Sequence, residues 1–451
     1  MAFKLHIGVL AFPFGTHAAP LLALVRRLAV SVPDALFSFF NSAASNATLF
    51  NATTAYENIC PRDVLDGTPR GEPFTGSQFE AVGLFLGASP ANFETAIREA
   101  ERESGLEIRC LLTDAFLWFS GDMAEKRGVP WVPFWTAASC SLSAHVYTDQ
   151  IVKAIESTEN AKQEKALSFI PGLEMATTAD LPPEIFLGNN ASPLATTINK
   201  MVEHLPRSTA VVLNSFEEID PIITKDLKSK FPNFLNVGPS ILASPAPPSA
   251  PISDESGCLS WLGGQNRPNS VVYISFGTVI TPPENELTAL CEALETCRLP
   301  FLWSIKDHAV KSLPNGFVDR TISYGKMVAW APQPQILAHE SVGAFVTHCG
   351  WNSILESIAS CVPLICRPFF GDQKLNSRMV QDSWRIGVRV EGGVFTKSGT
   401  IECLKELMTT EKGAKVRENV SLLRDKAVAA VDSQGSSSKN FDKLLEIIGA
   451  R

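Results

Sequence analysis

The chain has 451 residues, enough for two or three domains, of which 45% are hydrophobic and 19% charged. Such a composition builds packed cores and excludes a disordered, collagen-like or coiled-coil protein. With 39 Lys and Arg against 47 Asp and Glu, the net charge is −8 and no basic run stands out. That argues against nucleic acid as the main partner and leaves small-molecule chemistry.

In chain order, residues 5–11 read as a first strand and 18–29 as an amphipathic helix entered directly from it. This continuity favours a buried strand and helix over a cleaved signal segment in the apolar run 5–14. Residues 36–40, 109–113, 131–135 and 210–214 read as further strands, each short, apolar and rich in β-formers, with a helix over 91–102. Residues 239–255 (PSILASPAPPSAPISDE) have no period and read as a linker. Beyond it, 271–276, 301–305, 327–329, 343–347 and 363–366 read as strands, 284–297 and 352–360 as helices, and 441–448 as a closing helix. Continuous apolar strands alternating with helices predict an α/β protein of two Rossmann-like halves, each a parallel sheet covered on both faces. No apolar stretch approaches the roughly 18 residues of a membrane span. The ten cysteines show no C-x-x-C and read as buried thiols of a reducing compartment. The N-x-S/T triplets at Asn46, Asn51, Asn190 and Asn419 then read as chance matches, and the cytosol is the expected location.

Ligands of open parallel sheets collect beyond the C-terminal strand ends. In the segment F-P-F-G-T-H, His17 follows the first strand at the head of a helix. It suits a general base near neutral pH, or an ordinary cap. Asp114 follows the strand 109–113 and either caps a helix or orients a histidine and stabilises its protonated form. Far denser is the run from Trp330 to Gln373, WAPQPQILAHESVGAFVTHCGWNSILESIASCVPLICRPFFGDQ. Its centre reads as a strand, a His-Cys-Gly turn and a helix headed by Asn352 and Ser353, which cap the free amides and leave an anion site. His348 can donate to the same anion. Glu356, one turn beyond Asn352, can accept from a vicinal diol. Trp330 offers a stacking surface and Gln333 an amide for a base edge. Any one of these alone reads as packing or capping; together they imply a nucleotide. For a flat acceptor the candidates are Phe12, Phe14, Phe116, Trp135, Phe369 and Phe370, with polar Gln78 and His145, although most of the 27 Phe residues must be core. No G-x-G-x-x-G follows a predicted strand and no G-x-x-x-x-G-K-[ST] occurs, which removes a nicotinamide dehydrogenase and a P-loop kinase.

The W-A-P-Q, H-C-G-W-N-S-x-x-E and D-Q of this run resemble, in order, the signature box of plant family-1 UDP-sugar-dependent glycosyltransferases. The resemblance extends to A-F-P-F-G-T-H-A-A-P, C-L-S-W-L and S-F-G-T, and F-P-F-x-T-H-A-A-P with C-R-P-F-F-G-D-Q is most similar to flavonoid and anthocyanidin 3-O-glucosyltransferases. It implies a GT-B fold, two Rossmann-like domains facing each other across a cleft. Residues 1–238 would take the acceptor, 239–255 link, 256–430 take the donor, and the helix in 431–451 return to the N-terminal domain. By the same resemblance His17 is the base and Asp114 its partner. Trp330 stacks on uracil with Ala331 and Gln333 beside it, and Glu356 binds the ribose. Thr278, His348, Asn352 and Ser353 hold the diphosphate, while Trp351, Asp372, Gln373 and Thr136 contact the sugar. Gly15 stands on the acceptor side where many relatives carry Ser. The implied reaction is inverting transfer of glucose from UDP-glucose to a flavonoid hydroxyl. The alternatives are another phenolic or terpenoid acceptor, or a non-catalytic binder. Gln373, with an amide that both donates and accepts, would read two neighbouring sugar hydroxyls beside the accepting Asp372; relatives that prefer galactose tend to carry His there. No D-x-D triplet is present, so no metal and no cofactor are expected, only small-molecule partners and a monomer.

Overall fold

The structure, a computed structural model, describes residues 3–50, 56–68, 76–156, 164–186, 192–243, 254–277 and 280–450, with Gln78 and Phe79 as backbone only. The first sheet contains β1 (Leu5–Leu10), β2 (Ala35–Ser42), β3 (Ile59–Val64), β4 (Cys110–Asp114), β5 (Trp131–Trp135), β6 (Val211–Leu213) and β7 (Phe234–Asn236). The second contains β8 (Val271–Ser275), β9 (Phe301–Ser304), β10 (Gly325–Val328), β11 (Val342–Thr347), β12 (Leu364–Cys366) and β13 (Gly387–Arg389). Their orders are 3-2-1-4-5-6-7 and 10-9-8-11-12-13, parallel throughout. These are the two Rossmann-like halves that the alternating pattern predicts.

The central strands match the reading because burial on both faces makes them continuously apolar; every residue of β4 and β5 is buried. The strands missed are at or near sheet edges. β3 carries Pro61, Arg62 and Asp63, tolerable because one of its sides is unpaired, and β7 and β13 have three residues each. The helix read at 91–102 is the C-terminal part of Gln78–Ser104, which opens with a Ser77–Glu80 capping box, runs through Pro90 and stops at Gly105 (φ +70°). Helices Lys397–Thr409 and Glu411–Val431 also escaped the sequence reading. Within 239–255, residues Ser240–Ala243 are helical, while 244–253 lie outside the described residues.

One core layer joins Ile7, Val9, Phe37 and Leu112 of the first sheet to the helix Ala18–Ser31 and to Phe441, Leu444 and Leu445 of the helix Ser436–Ile447. The opposite face of that sheet shares a continuous apolar cluster with the second half, from Leu10, Phe40 and Leu111 to Tyr273, Phe345 and Leu364. Polar contacts cross the same junction. Trp351 Nε1 donates to the Asn214 carbonyl (2.8 Å), Trp384 Nε1 to Asp220 (2.8 Å), and Arg378 Nε to Asp180 (2.9 Å). All ten cysteines are free thiols, and among the described residues no helix is long and apolar enough to cross a membrane.

Asp220 is a buried carboxyl in this junction, accepting from Trp384 and from Ser139 Oγ (2.9 Å). Burial pushes it up to about 6 from 3.8, outweighing the two hydrogen bonds, which favour the ionised form. A raised carboxyl binds its proton more tightly folded than unfolded, so its stabilising contribution is complete below about 3.8 and is lost as pH rises through about 6. Asp220→Asn keeps an acceptor for Trp384 and a donor for Ser139. It should therefore come close to the wild type in melting temperature below about pH 4 and exceed it near pH 8, by the equivalent of about 1–3 kcal/mol. Melting curves near pH 4 and pH 8 check this; a variant less stable than wild type at pH 8 contradicts it.

Candidate active site

The sheet orders explain which residues meet. In each sheet the strand order reverses beside its earliest strand, and ligand crevices of open parallel sheets form there. In the first half, β1 and β4 are neighbours, with Leu10 opposite Thr113. His17 and Asp114, 97 positions apart in sequence, thereby come to one edge, and His17 Nδ1 lies 2.9 Å from Asp114 Oδ2. Asp114 is buried and its Oδ1 also accepts from the Phe116 N–H (2.9 Å), so the carboxylate is fixed before it fixes the ring. Thr136, just past β5, brings Oγ1 to 3.2 Å from the same Nδ1. With Nδ1–H directed at Asp114, Nε2 carries the lone pair on the opposite ring edge.

Phe12 and Phe116 wall the imidazole, at ring-centre distances of 5.1 and 4.6 Å, and Phe14 packs on Phe12. Gly15 turns the chain between Phe14 and His17 in the left-handed region (φ +61°). His145 is buried beside Trp135, 5.9 Å between ring centres, and its Nδ1 has no hydrogen-bond partner among the described residues. Burial pushes it down to about 4. Phe369 is likewise taken, stacked under the Arg367 guanidinium (3.8 Å), whereas Phe370 is exposed. The side chain of Gln78 and all of Thr278 lie outside the described residues.

In the second half, β8 and β11 adjoin with Ser275 opposite Thr347, so Gly277 and His348 meet at the matching edge. The His348 ring is wedged between two glycines. A Cβ on Gly277 would fall 3.0 Å from its Cε1, and one on Gly350 2.5 Å from its Nε2. Its Nδ1 is buried with no hydrogen-bond partner among the described residues, and burial pushes the group down to about 4, so the ring is neutral at pH 7. Helix Trp351–Ala359 begins here. Asn352 and Ser353 do not cap it, contrary to the sequence reading: the cap residue is Gly350, which has no side chain to spend on the free amides. Uncapped amides beside an unpartnered imidazole nitrogen are suited to receive an anion.

Three further readings change. Both ends of the Gln333 amide are engaged: Oε1 accepts from Tyr273 OH (3.2 Å), and Nε2 donates to Ser353 Oγ (3.1 Å) and Glu356 Oε2 (2.7 Å). It orients Glu356 with both Nε2 hydrogens spent, and keeps one Oε1 lone pair for a further donor. Burial raises the Glu356 carboxyl, with the Gln333 hydrogen bond pulling the other way. Trp351 buries its indole against the first half instead of presenting it to a sugar. Gln373 spends its Oε1 on the N–H groups of Phe369 (2.9 Å) and Phe370 (3.2 Å), leaving Nε2 as a donor only. Trp330, 68% exposed, remains a bare aromatic surface, with Ala331 buried next to it. Asp372 is raised by burial, while Asn376 and, across the cleft, His17 favour its charge. His17 of the first half thus lies near enough to Asp372 of the second to favour its charge.

The sequence pattern of UDP-glucoronosyl and UDP-glucosyl transferases matches residues 88–433. The chain belongs to this family. A flavonol 3-O-glucosyltransferase of Actinidia chinensis var. chinensis is 55% identical over 98% of this chain and 97% of its own. An anthocyanidin 3-O-galactosyltransferase of the same plant is 50% identical with the same coverage. The crystal structure of a UDP-glucose: anthocyanidin 3-O-glucosyltransferase in complex with UDP superposes with a TM-score of 0.94, at 39% identity over 100% of both chains. The GT-B fold of the transferase family thus runs through the whole molecule.

Sequence reasoning missed the supports of this transferase site. Arg367 and Glu286 form a buried bidentate pair at the base of the loop carrying Phe370 and Gln373. Tyr273, read only as part of a strand, holds Gln333, and Asn376 holds Asp372 (2.9 Å). The one available signal was polarity inside apolar runs, which does not say what the polar atom faces. The glycine wedge gives a clean test. Gly350 has φ −64°, allowed for alanine, so Gly350→Ala strains only the contact with His348. UDP affinity, measured by titration, should fall about 10- to 150-fold, the worth of a hydrogen bond to a charged group, with the melting temperature little changed. Undiminished affinity would remove His348 from the anion site.

Proposed function

We propose that the protein transfers glucose from UDP-glucose to a hydroxyl of a flavonoid such as a flavonol or anthocyanidin, at the 3-position, with inversion at the anomeric carbon. The observation that carries this reading is the His17 imidazole, held by Asp114 within a phenylalanine wall. The relatives' activities support the substrate class.

In this mechanism Nε2 of His17 takes the proton of the acceptor hydroxyl, and Asp114 keeps Nδ1–H in place and stabilises the imidazolium. The acceptor oxygen attacks the anomeric carbon as UDP leaves from the opposite face. Charge gathering on the diphosphate meets the amides at the head of helix Trp351–Ala359 and a neutral His348, a donor set already oriented before reaction. Glu356, oriented by Gln333, accepts from the ribose hydroxyls, and Trp330 stacks on the base. Thr136, on the His17 side of the cleft, also reaches the sugar. No metal or other cofactor takes part. The chain works as a monomer, since each half supplies one side of the cleft, and in the cytosol, a location that its free thiols support.

Mixing the protein with UDP-glucose and a panel of flavonols, anthocyanidins, isoflavones and simple phenols, with product regiochemistry determined, tests the whole reading. The expected product is the flavonoid 3-O-glucoside, formed equally fast in the presence of a chelator; no UDP release with any flavonoid overturns it. His17→Ala should lower turnover by about 10²- to 10⁴-fold, the usual worth of general base catalysis, with UDP affinity unchanged. Turnover close to wild type would exclude His17 as the base.

Donor choice follows from Gln373. Its Nε2 and the Asp372 carboxylate present one donor and one acceptor to the sugar, and inversion at C4 moves a hydroxyl out of such a pattern. An unpaired buried polar group costs about 1–3 kcal/mol, or roughly 5- to 150-fold in specificity for glucose over galactose. Gln373→His should narrow or reverse that ratio, mainly by losing glucose transfer. The check is kcat/KM for both donors with one flavonol; an unchanged ratio takes Gln373 out of donor selection.

A further inference from the structure

Asn376 is fully buried in helix Gln373–Arg378 and touches no open surface. All of its amide is nevertheless committed. Nδ2 donates to the carbonyl of Cys349 (3.1 Å) and to Oδ2 of Asp372 (2.9 Å), and Oδ1 accepts from the Cys140 thiol (3.6 Å). A flipped amide would set its oxygen against a carbonyl and a carboxylate, so only this orientation is satisfied. The first partner is unusual. Cys349, between His348 and Gly350, has φ +67°, a left-handed conformation in which a residue with a Cβ persists only when its surroundings hold it. The second is the carboxylate that faces His17 across the cleft, and the third belongs to helix Ser139–Val146 of the other half.

We propose that Asn376 is a positioning residue that ties the anion-binding turn at His348–Gly350 to the sugar-side carboxylate of Asp372, so that the two ends of the donor are bound as one rigid unit. The proposal rests on the reading of this cleft as a UDP-sugar site. Asn376 touches no substrate in this scheme. It fixes the strained turn through the Cys349 carbonyl and keeps Asp372 ionised, with its other oxygen free to accept.

The charged and titratable groups around the amide are Asp372 and the Cys140 thiol in direct contact, Asp220 beyond Cys140, His17 across from Asp372, and Cys366 and Arg389 beside Cys349. Every rate is therefore taken as a ratio to wild type at the same pH, which cancels the titration of His17. Asn376→Ala removes both donors, and kcat/KM for UDP-glucose should fall at least about tenfold at every pH. Asn376→Asp has the same shape but places two carboxylates together near pH 8, where it should be the worse variant. Near pH 6 the pair shares one proton, which restores a donor toward Asp372, and its ratio to wild type should rise about tenfold or more. A part with a purely structural role has no reason to give this recovery in one variant and not in the other.

Titration reads the two donor ends separately. Asn376→Ala should reduce the affinity advantage of UDP-glucose over UDP, and should reduce it no further in an Asp372→Asn background. Melting curves accompany each variant, with Asn376→Ser replacing alanine should the alanine variant not fold. An Asn376→Asp ratio that is flat with pH, full additivity with Asp372→Asn, or an alanine variant within about threefold of wild type overturns the proposal. Failure of the wild-type protein itself to bind UDP-glucose would instead overturn the functional reading.

Discussion

The indole N–H of Trp351 donates to the carbonyl of Asn214 where the two halves meet, and the position of the cleft depends on such contacts. Each sheet brings its own polar side chains to one edge, but neither edge completes a site. His17 and Asp114 sit at the ends of β1 and β4, and His348 in the turn after β11. Only the junction sets the distance between them. It combines a continuous apolar cluster, which supplies non-directional attraction, with buried hydrogen bonds from Trp351, Trp384 and Arg378, which supply register. An apolar junction alone could slide; an indole aimed at one carbonyl cannot without leaving both groups unpaired.

The second half pays for precision in the same way around its sugar-side loop. Arg367 and Glu286 are both buried, and such a pair adds little net stability over an apolar one. What it does here is geometric. The guanidinium stacks on Phe369 and donates to the Pro368 carbonyl (2.7 Å), and the N–H groups of Phe369 and Phe370 then receive Gln373 Oε1. Breaking the chain at Arg367 leaves a buried, unpaired Glu286 and a loose loop at once. Glu286 also accepts from the Phe395 N–H (2.9 Å), so the loop is tied to the chain beyond β13 as well.

Much of this was legible in the sequence, for reasons that also explain what was not. Central parallel strands are buried on both faces and announce themselves as unbroken apolar runs, hence the reading of β1, β4, β5, β8 and β11 and of the polar residues just past them. Edge strands such as β3 need only one partner and one buried face, so Pro61 and Arg62 hid it. The polar residues past those strands were readable only as a group, since each one alone fits packing or capping. The direction of each amide was not. Gln333, Gln373 and Asn376 can serve a ligand or a neighbour equally well, and the choice depends on groups 60, 4 and 27 positions away that only the fold brings near. Trp351 was misread for the same reason: its partner comes from the other half.

The free cleft is electrostatically incomplete in a consistent way. Burial holds His348 neutral with an unpartnered nitrogen, raises Glu356 and Asp372, and leaves the amides of helix Trp351–Ala359 without a cap. The unpartnered His348 nitrogen costs stability, since a buried polar group without a partner has given up water and gained nothing, and burial is unfavourable for the two carboxyls despite their amide partners. A nucleotide-sugar answers all of them together. In the proposed reading its diphosphate accepts from the imidazole and the amides, its ribose hydroxyls donate to Glu356, and its sugar hydroxyls meet Asp372 and Gln373. Because those protein groups are held in place by other buried side chains, they do not have to reorganise when charge shifts onto the departing diphosphate, and that fixed orientation is what makes hydrogen bonds in a desolvated site worth more during reaction than in water.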